Sequence, residues 1–131
     1  MEYACRAAIC LAKHYDGSTL VKLEEIAQQE DISSSFLVQI LNELKRSDLV
    51  ISKRGKAGGY VLTRPPAKVT FRDLVQAIEP GLLAPPGESS GASGPSVSRV
   101  WHDLSKLISQ RLESLTLEAM ASETEAPMYF I

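Results

Sequence analysis

Cysteine and histidine are scarce in this sequence, which limits the chemistry that its side chains can supply. The chain of 131 residues contains 2 cysteines, Cys5 and Cys10, and 2 histidines. Two thiols cannot build a disulfide framework, and on one helix these two would point to opposite flanks. Cys10 and His14 share a helix face, a spacing that can chelate a metal or activate a thiol. Because no further ligand is near them in the sequence, we expect a semi-buried thiol beside a surface imidazole and no metal site.

Long apolar runs are missing too. The longest uninterrupted one extends from Ala7 to Ala12, whereas a helix needs about 20 predominantly apolar residues to cross a bilayer. The same run is too short for the apolar core of a secretory signal peptide, which has about 7–15 residues. We therefore expect a cytoplasmic protein without a membrane segment.

Nucleotide-binding and catalytic signatures are missing as well. The sequence contains neither a G-x-x-x-x-G-K-[ST] loop nor a G-x-G-x-x-G fingerprint. No pair of carboxylates and no nucleophile–base set can be assigned from the residues. These absences favour a binding protein over an enzyme.

A basic excess, typical of nucleic-acid-binding domains, is absent from the chain as a whole but present in one segment. The formal net charge is −2, from 14 Lys+Arg and 16 Asp+Glu. Between Lys45 and Arg72 eight basic residues stand against one acid, Asp48, so this segment carries +7 and the remainder −9. The segment is either a binding face for a polyanion or an ordinary solvated face.

The N-terminal part of the chain has the pattern of a helix-turn-helix. Apolar residues recur with helical spacing in three segments, residues 2–15, 23–29 and 33–46. Ala27 is the small residue expected where the second and third helices cross. Asp31 occupies the turn between them, where a positive φ is needed and Asp is better tolerated than most residues. Ser33 is a good N-cap for the third helix.

The third helix carries the candidate base-reading residues. In helix-turn-helix proteins the second helix of the motif enters the major groove by its N-terminal residues. The outward side chains that we expect to contact DNA are Ser33, Ser34, Ser35, Phe36 and Gln39. Hydroxyls can bond phosphates or base edges, a phenyl ring can touch a thymine methyl group, and glutamine can pair bidentately with adenine.

A hairpin follows the three helices. Two β-prone runs, Leu49–Ser52 and Tyr60–Thr63, are joined by a polar loop with three glycines, which predicts the wing of a winged helix-turn-helix. Lys53, Arg54 and Lys56 near its tip are candidate contacts to the DNA backbone or to a narrow minor groove. The alternative is a basic loop that is merely solvated.

The C-terminal half predicts a loop, a long helix and a tail. Residues 80–96 are rich in Pro, Gly and Ser and predict a flexible loop after a DNA-binding domain at residues 1–79. Helical periodicity resumes over residues 97–122, and residues 123–131 form a tail.

The long helix carries an apolar stripe that needs a cover, because exposed apolar area costs about 25 cal/mol per Å². A second copy of the helix is the expected cover, which gives a two-fold homodimer. Packing of the helix on its own domain is the alternative. The candidate dimerisation residues are Trp101, Leu104, Ile108, Leu112 and Leu115.

The sequence resembles the Rrf2 family of bacterial winged-helix transcriptional regulators, the IscR/NsrR/CymR type. The resemblance covers nearly the whole chain and rests on Tyr3-Ala4, Leu23 to Ala27, Ile32 to Gln39, Leu49-Val50, the wing Arg54 to Tyr60, and Trp101 to Leu104. The wing, Arg-Gly-x-x-Gly-Gly-Tyr, is its most specific piece. The resemblance implies a mainly α fold with a small β-hairpin (α+β) and a homodimeric repressor that binds a palindromic operator in double-stranded DNA. It assigns DNA contacts to Ser33, Ser35, Phe36, Gln39 and Arg54.

Two departures from the family pattern carry expectations of their own. Many members hold an iron–sulfur cluster with three cysteines in the loop before the C-terminal helix, but residues 80–99 contain no cysteine here. Pro95 and Ser98 stand where cluster-binding relatives have Cys and His. Because thiolate ligation needs cysteine, we expect no cofactor. The chain also begins closer to Tyr3 than the family pattern does, so a shortened N-terminus is expected.

The signal and one alternative function remain open at the level of sequence. A partner protein, a small ligand or cysteine oxidation could each supply the signal. Winged helices also serve as docking domains, so a protein-interaction module without specific DNA binding is the alternative. Phosphate contacts would make DNA affinity fall by orders of magnitude between about 50 and 200 mM salt, which separates the two functions.

Overall fold

Helices occupy most of the chain, and a β-hairpin interrupts them. The computed structural model describes residues 1–84 and 87–123. In chain order its elements are α1 (Glu2–Lys13), α2 (Leu23–Glu30), α3 (Ser34–Arg46), β1 (Val50–Lys53), β2 (Gly59–Leu62), α4 (Phe71–Ile78), α5 (Gly94–Glu113) and α6 (Leu117–Ser122). This order confirms the predicted mainly helical winged helix-turn-helix with a long helix near the C-terminus. Within the described residues, no helix combines the length and apolarity needed to cross a membrane.

The core is built around α1. Its inward face consists mainly of small side chains, and Ala4, Ala7 and Ala8 are at most 1% exposed. Small side chains allow neighbouring helices to approach closely, and α2, α3, α4 and α6 all pack against α1. Leu37 and Leu41 of α3 are fully buried in the same cluster. The core therefore fixes α3 by its apolar face and leaves the other face to solvent.

The turn between α2 and α3 has the predicted conformation. Asp31 adopts φ 54° and ψ 54°, in the left-handed region, and the N–H of Ile32 donates to the carbonyl of Ala27 at 3.1 Å. Ser33 caps α3, since its hydroxyl accepts from the N–H of Phe36 at 3.4 Å. The positive φ reverses the chain in one residue, and the cap satisfies a free donor at the start of the next helix.

The hairpin is held by a pairing that the sequence did not predict. β1 and β2 are antiparallel, with Val50 opposite Leu62 and Lys53 opposite Gly59, so the second strand lies one residue before the predicted run. Val21, just before α2, exchanges two hydrogen bonds with Tyr60: its N–H donates at 2.9 Å and its carbonyl accepts at 2.8 Å. These bonds attach the wing to the start of the helix-turn-helix.

The predicted boundaries of the C-terminal half, a loop at 80–96 and one helix at 97–122, are wrong in detail. A 3₁₀ turn forms at Pro80–Leu82, α5 begins at Gly94, and it ends at Glu113. The hydroxyl of Thr116 caps α6 by accepting from the N–H of Ala119 at 3.1 Å. The continuous leucine spacing concealed this break, because Leu117, which continues the apolar pattern, is buried against its own domain rather than along α5.

The chain returns to its own N-terminal domain after α5. The N–H of Leu117 donates to the carbonyl of Val69 at 2.9 Å, and the N–H of Phe71 donates to the carbonyl of Leu115 at 2.8 Å. Leu117 is fully buried, and α6 packs against α1. The domain predicted at 1–79 is thus completed by α6. Of the predicted tail at 123–131, residues 124–131 lie outside the described residues.

Candidate nucleic-acid interface

The first turns of α3 present the predicted polar face. Ser33, Ser34, Ser35, Phe36 and Gln39 are all exposed. Leu37 and Ile40 of this helix turn inward to the core, so the exposed set forms one surface at the N-terminal end of α3. Hydroxyl, aromatic and amide groups at this end are available to base edges and phosphates.

Glycines shape the tip of the wing for steric reasons. Gly55 has φ +101°, a conformation that side chains rarely adopt. A Cβ on Gly58 would lie 2.2 Å from the carbonyl oxygen of Lys53, and one on Gly59 would lie 2.6 Å from the carbonyl oxygen of Val21. The Gly-x-x-Gly-Gly spacing is therefore a backbone requirement of the tight wing and of its pairing with Val21.

Basic side chains line a cleft between the wing and the start of α2. The cleft has a volume of about 400 Å³, and its lining includes Lys22, Lys45, Lys53, Arg54 and Lys56. Glu24 is the one acid in the lining. Five cations around one opening create a positive potential that suits a polyanion such as a phosphate backbone.

Sequence reasoning missed two of these cations as site residues. The sequence places Lys45 in the basic segment but gives no sign that it lies at the wing, and Lys22 lies outside that segment. Lys22 is remote from the wing in sequence and reaches it only because neighbouring Val21 pairs with Tyr60. A lysine directly before the helix-turn-helix was the available signal, but its meaning depended on that pairing.

One face of α5 is apolar and uncovered in the single chain. Trp101 is 50% exposed, Leu104 40% and Ile108 50%. Val97, Val100 and Leu107 extend the same face and are also exposed. Leu112 is half-buried near the end of the helix, whereas Leu115 lies beyond α5 and contacts its own domain through Phe71. Of the five predicted dimerisation residues, Trp101, Leu104 and Ile108 thus lie on the exposed apolar face of α5, Leu112 lies near its end and Leu115 lies beyond it.

The two thiols lie in α1, away from the basic cleft. Cys10 is fully buried, and its Sγ donates to Oε1 of Gln29 at 3.4 Å. Burial, with smaller contributions from nearby Glu30 and Glu25, raises the pKa of Cys10 to about 11. His14 lies beside it, with Nε2 3.1 Å from the same Gln29 oxygen. Cys5 is half-buried, and burial raises its pKa as well.

We expect both thiols to react slowly with iodoacetamide in the native protein. The thiolate is the reactive form, and a raised pKa keeps it scarce near pH 8. At about pH 8, Cys10 should react at least about 100-fold more slowly than a free cysteine, and the rate should rise with pH. Unfolding in denaturant should abolish the difference. Rapid native labelling at neutral pH, followed by mass spectrometry, would restore cysteine oxidation as a candidate signal.

This chain is a winged helix-turn-helix protein. Its helix-turn-helix exposes side chains at the N-terminal end of α3, a basic hairpin is attached to that motif, and a long helix with an uncovered apolar face follows. The chain belongs to the Rrf2 family, described as iron-dependent transcriptional regulators, whose profile matches residues 1–123. It is thus a member of a family of transcriptional regulators and not of enzymes.

Individual relatives agree with this placement. The HTH-type transcriptional regulator CymR of Bacillus subtilis is 35% identical over 123 residues, which cover 91% of this chain and 86% of that protein. IscR of Cereibacter sphaeroides, also an HTH-type transcriptional regulator, is 35% identical over 111 residues, covering 79% and 72%. The solved structure of B. subtilis CymR, described as the global cysteine regulator of that organism, has a TM-score of 0.80 at 32% identity and covers 95% of this chain and 94% of that one.

The family description names iron, but the donor set of this chain does not fit a cysteine-ligated cluster. Such a cluster needs several thiolates, and the 2 cysteines of this chain both lie in α1. At the start of α5 the N–H of Ser89 donates to the hydroxyl of Ser98 at 3.0 Å. A Cβ on Gly94 would lie 2.1 Å from the carbonyl oxygen of Ser89. Hydroxyl and backbone groups thus close the loop onto α5.

Proposed function

We propose that the protein is a homodimeric, sequence-specific DNA-binding regulator that represses transcription from a palindromic operator. The observation that carries the proposal is the basic cleft between the wing and α2, next to a helix-turn-helix whose polar face is exposed. In this arrangement the N-terminal end of α3 enters the major groove. The wing cations bind phosphates or the neighbouring minor groove.

The exposed apolar face of α5 supports the dimer. An uncovered stripe containing Trp101, Leu104 and Ile108 is costly in water, and a second copy of the same helix offers a self-complementary cover. Two-fold symmetry of the protein then requires two-fold symmetry of the DNA, which is why the operator is palindromic. Occupation of the operator would itself block access of other proteins, which is the basis for proposing repression.

We further propose that the protein acts without an iron–sulfur cluster of the loop-cysteine type, in the cytoplasm where its DNA lies. The missing loop thiols support this. A partner protein or a small ligand then supplies the signal, and the raised pKa values of both thiols weigh against cysteine oxidation.

Two substitutions separate the roles of the wing and the recognition helix. Arg54→Ala should weaken binding to every duplex and reduce the salt dependence, because it removes one phosphate contact. Gln39→Ala should instead relax base preference at one position of each half-site, at a cost of about 1–3 kcal/mol for the preferred sequence. Mobility-shift titrations with a selected duplex and a scrambled one measure both effects.

Lys13→Ala is the matched control for charge, since Lys13 is exposed on α1 and does not line the cleft. It should change both affinities much less than Arg54→Ala does. Equal losses from Arg54→Ala and Gln39→Ala on both duplexes would contradict the assigned roles. Complete absence of binding at low salt would favour the protein-interaction module.

A further inference from the structure

Three side chains connect the N-terminal end of α1 to the N-terminal end of α3. The rings of Tyr3 and Phe36 meet edge to face, with centroids 5.2 Å apart and an interplanar angle of 83°. The guanidinium carbon of Arg6 lies 4.7 Å from the centroid of the Tyr3 ring. Edge-to-face aromatic pairs and cation–π contacts are both favoured geometries. The three residues form a row of contacts, Arg6–Tyr3–Phe36, that ends on a candidate base-reading side chain.

Arg6 also links this row of contacts to the turn of the helix-turn-helix. One of its terminal nitrogens, Nη2, donates to the carbonyl of Asp31 at 3.5 Å, and the other, Nη1, donates to Glu2 at 3.4 Å. Asp31 is the left-handed residue that sets the direction of α3. Arg6 therefore touches the turn before α3, while Tyr3 touches the first turn of α3 itself.

The exposure of these rings indicates a role other than core packing. Tyr3 and Phe36 are each 42% exposed, so neither contributes as a buried core residue does. An exposed phenylalanine that rotates freely must be immobilised when it contacts a base, and that ordering weakens binding. A neighbouring ring that already holds Phe36 removes part of this cost before DNA arrives.

We infer that Tyr3, held by Arg6, is a positioning residue that sets the rotamer of Phe36 for base contact and so contributes to sequence preference without needing to touch a base. The inference rests on the proposed function, because it assigns a role within the same DNA interface. Tyr3 acts through its ring, and Arg6 acts by fixing that ring and the Asp31 turn together.

The test uses the full chain, a duplex that the wild-type protein selects from random-sequence DNA, and a scrambled duplex of equal composition. Tyr3→Ala should lower affinity for the selected duplex by about 3- to 10-fold and leave affinity for the scrambled duplex nearly unchanged. Tyr3→Phe should retain wild-type preference, because the ring makes the contact with Phe36. Arg6→Lys keeps the charge but not the planar group, and it should reproduce the loss in part.

A double-mutant cycle and a control make the test specific. In the Phe36→Ala background, Tyr3→Ala should cause no further loss, since the residue it positions is gone. Leu82→Ala, at an exposed apolar residue outside the interface, should change neither affinity. Circular dichroism melts should show that all variants fold.

Several results would overturn the inference. One is that Tyr3→Ala lowers affinity for both duplexes equally, or lowers it for neither. Another is that the losses of affinity caused by Tyr3→Ala and Phe36→Ala are additive in the double variant. A third is that Tyr3→Phe binds the selected duplex as weakly as Tyr3→Ala does. If the wild-type protein selects no sequence, the proposed function itself fails. If it selects one and Tyr3→Ala selects the same one with equal preference, only the positioning role fails.

Discussion

Replacing Leu104 and Ile108 together with glutamate is expected to convert the proposed dimer to a monomer. Both side chains belong to the exposed apolar face of α5, so in a single chain the substitutions remove no core contact. In a dimer through this face they bury four unpaired carboxylates, and an uncompensated buried charge costs about 3 kcal/mol or more. Dimer affinity should therefore fall by more than about 100-fold. Sedimentation velocity at micromolar concentration measures the change.

Lys106→Glu provides the control on the same helix. Lys106 lies among His102, Asp103 and Gln110 on another side of α5. The Lys106→Glu substitution should leave the proposed dimer intact, although it introduces a glutamate as the two substitutions at Leu104 and Ile108 do. Trp101 is the one tryptophan of the chain and lies on the exposed apolar face of α5. If this face forms the proposed dimer, the emission of Trp101 should shift to the blue as wild-type protein is concentrated. A Leu104→Glu/Ile108→Glu variant that still sediments as a dimer would show that another surface joins the protomers.

Leu117→Ala is expected to destabilise the protein by about 2–5 kcal/mol, the range for a buried leucine truncated to alanine. Leu117 is fully buried, and its N–H bonds to the carbonyl of Val69, so it fixes α6 to the N-terminal domain. A loss of this size is a large part of the stability of a small domain, about 5–15 kcal/mol. Urea unfolding followed by circular dichroism gives the difference.

Leu82→Ala is the comparison for this stability measurement. Leu82 is 53% exposed, so its truncation should change stability by no more than about 0.5 kcal/mol. If the two variants unfold at the same urea concentration, α6 does not pack on its domain as described. The same packing means that a truncation before α5 would remove Leu117 and unfold the domain, so point substitutions are the better test of dimerisation.

The helix-turn-helix could be predicted from sequence because its signals are local. A serine cap, an aspartate in the turn and apolar residues at helical spacing act within a few residues of one another, and the positive φ of Asp31 and the cap at Ser33 are both found in the structure. The wing motif is local in the same sense. Its glycines occupy positions where a Cβ would collide with the backbone of the wing itself or of Val21.

The remaining features depend on contacts between distant parts of the chain. The pairing of Val21 with Tyr60 adds Lys22 to the basic cleft. No periodicity in residues 19–22 predicts this pairing. The return of α6 is hidden for a different reason, because residues 115–117 continue the apolar pattern of α5 although their backbone bonds to the N-terminal domain and Leu117 is buried in its core. Spacing alone does not distinguish a stripe that continues along one helix from one that turns back.

The low net charge of the chain conceals an uneven distribution of its charges. The total of −2 combines a basic segment with an acidic remainder. The structure brings three residues of that segment's wing together with Lys45 and with Lys22 from outside the segment. Acidic surface elsewhere should limit non-specific attraction to DNA, so that affinity depends on the cleft, the α3 face and the spacing of the two protomers.

Selection of bound duplexes from random-sequence DNA by the full chain at low salt tests the proposed function most directly. We expect enrichment of an inverted repeat whose half-site centres are about 10–10.5 base pairs, or a multiple of this, apart, as two recognition helices in successive major grooves require. Enrichment of a sequence without two-fold symmetry would contradict the dimeric arrangement. Enrichment of no sequence would contradict specific DNA binding.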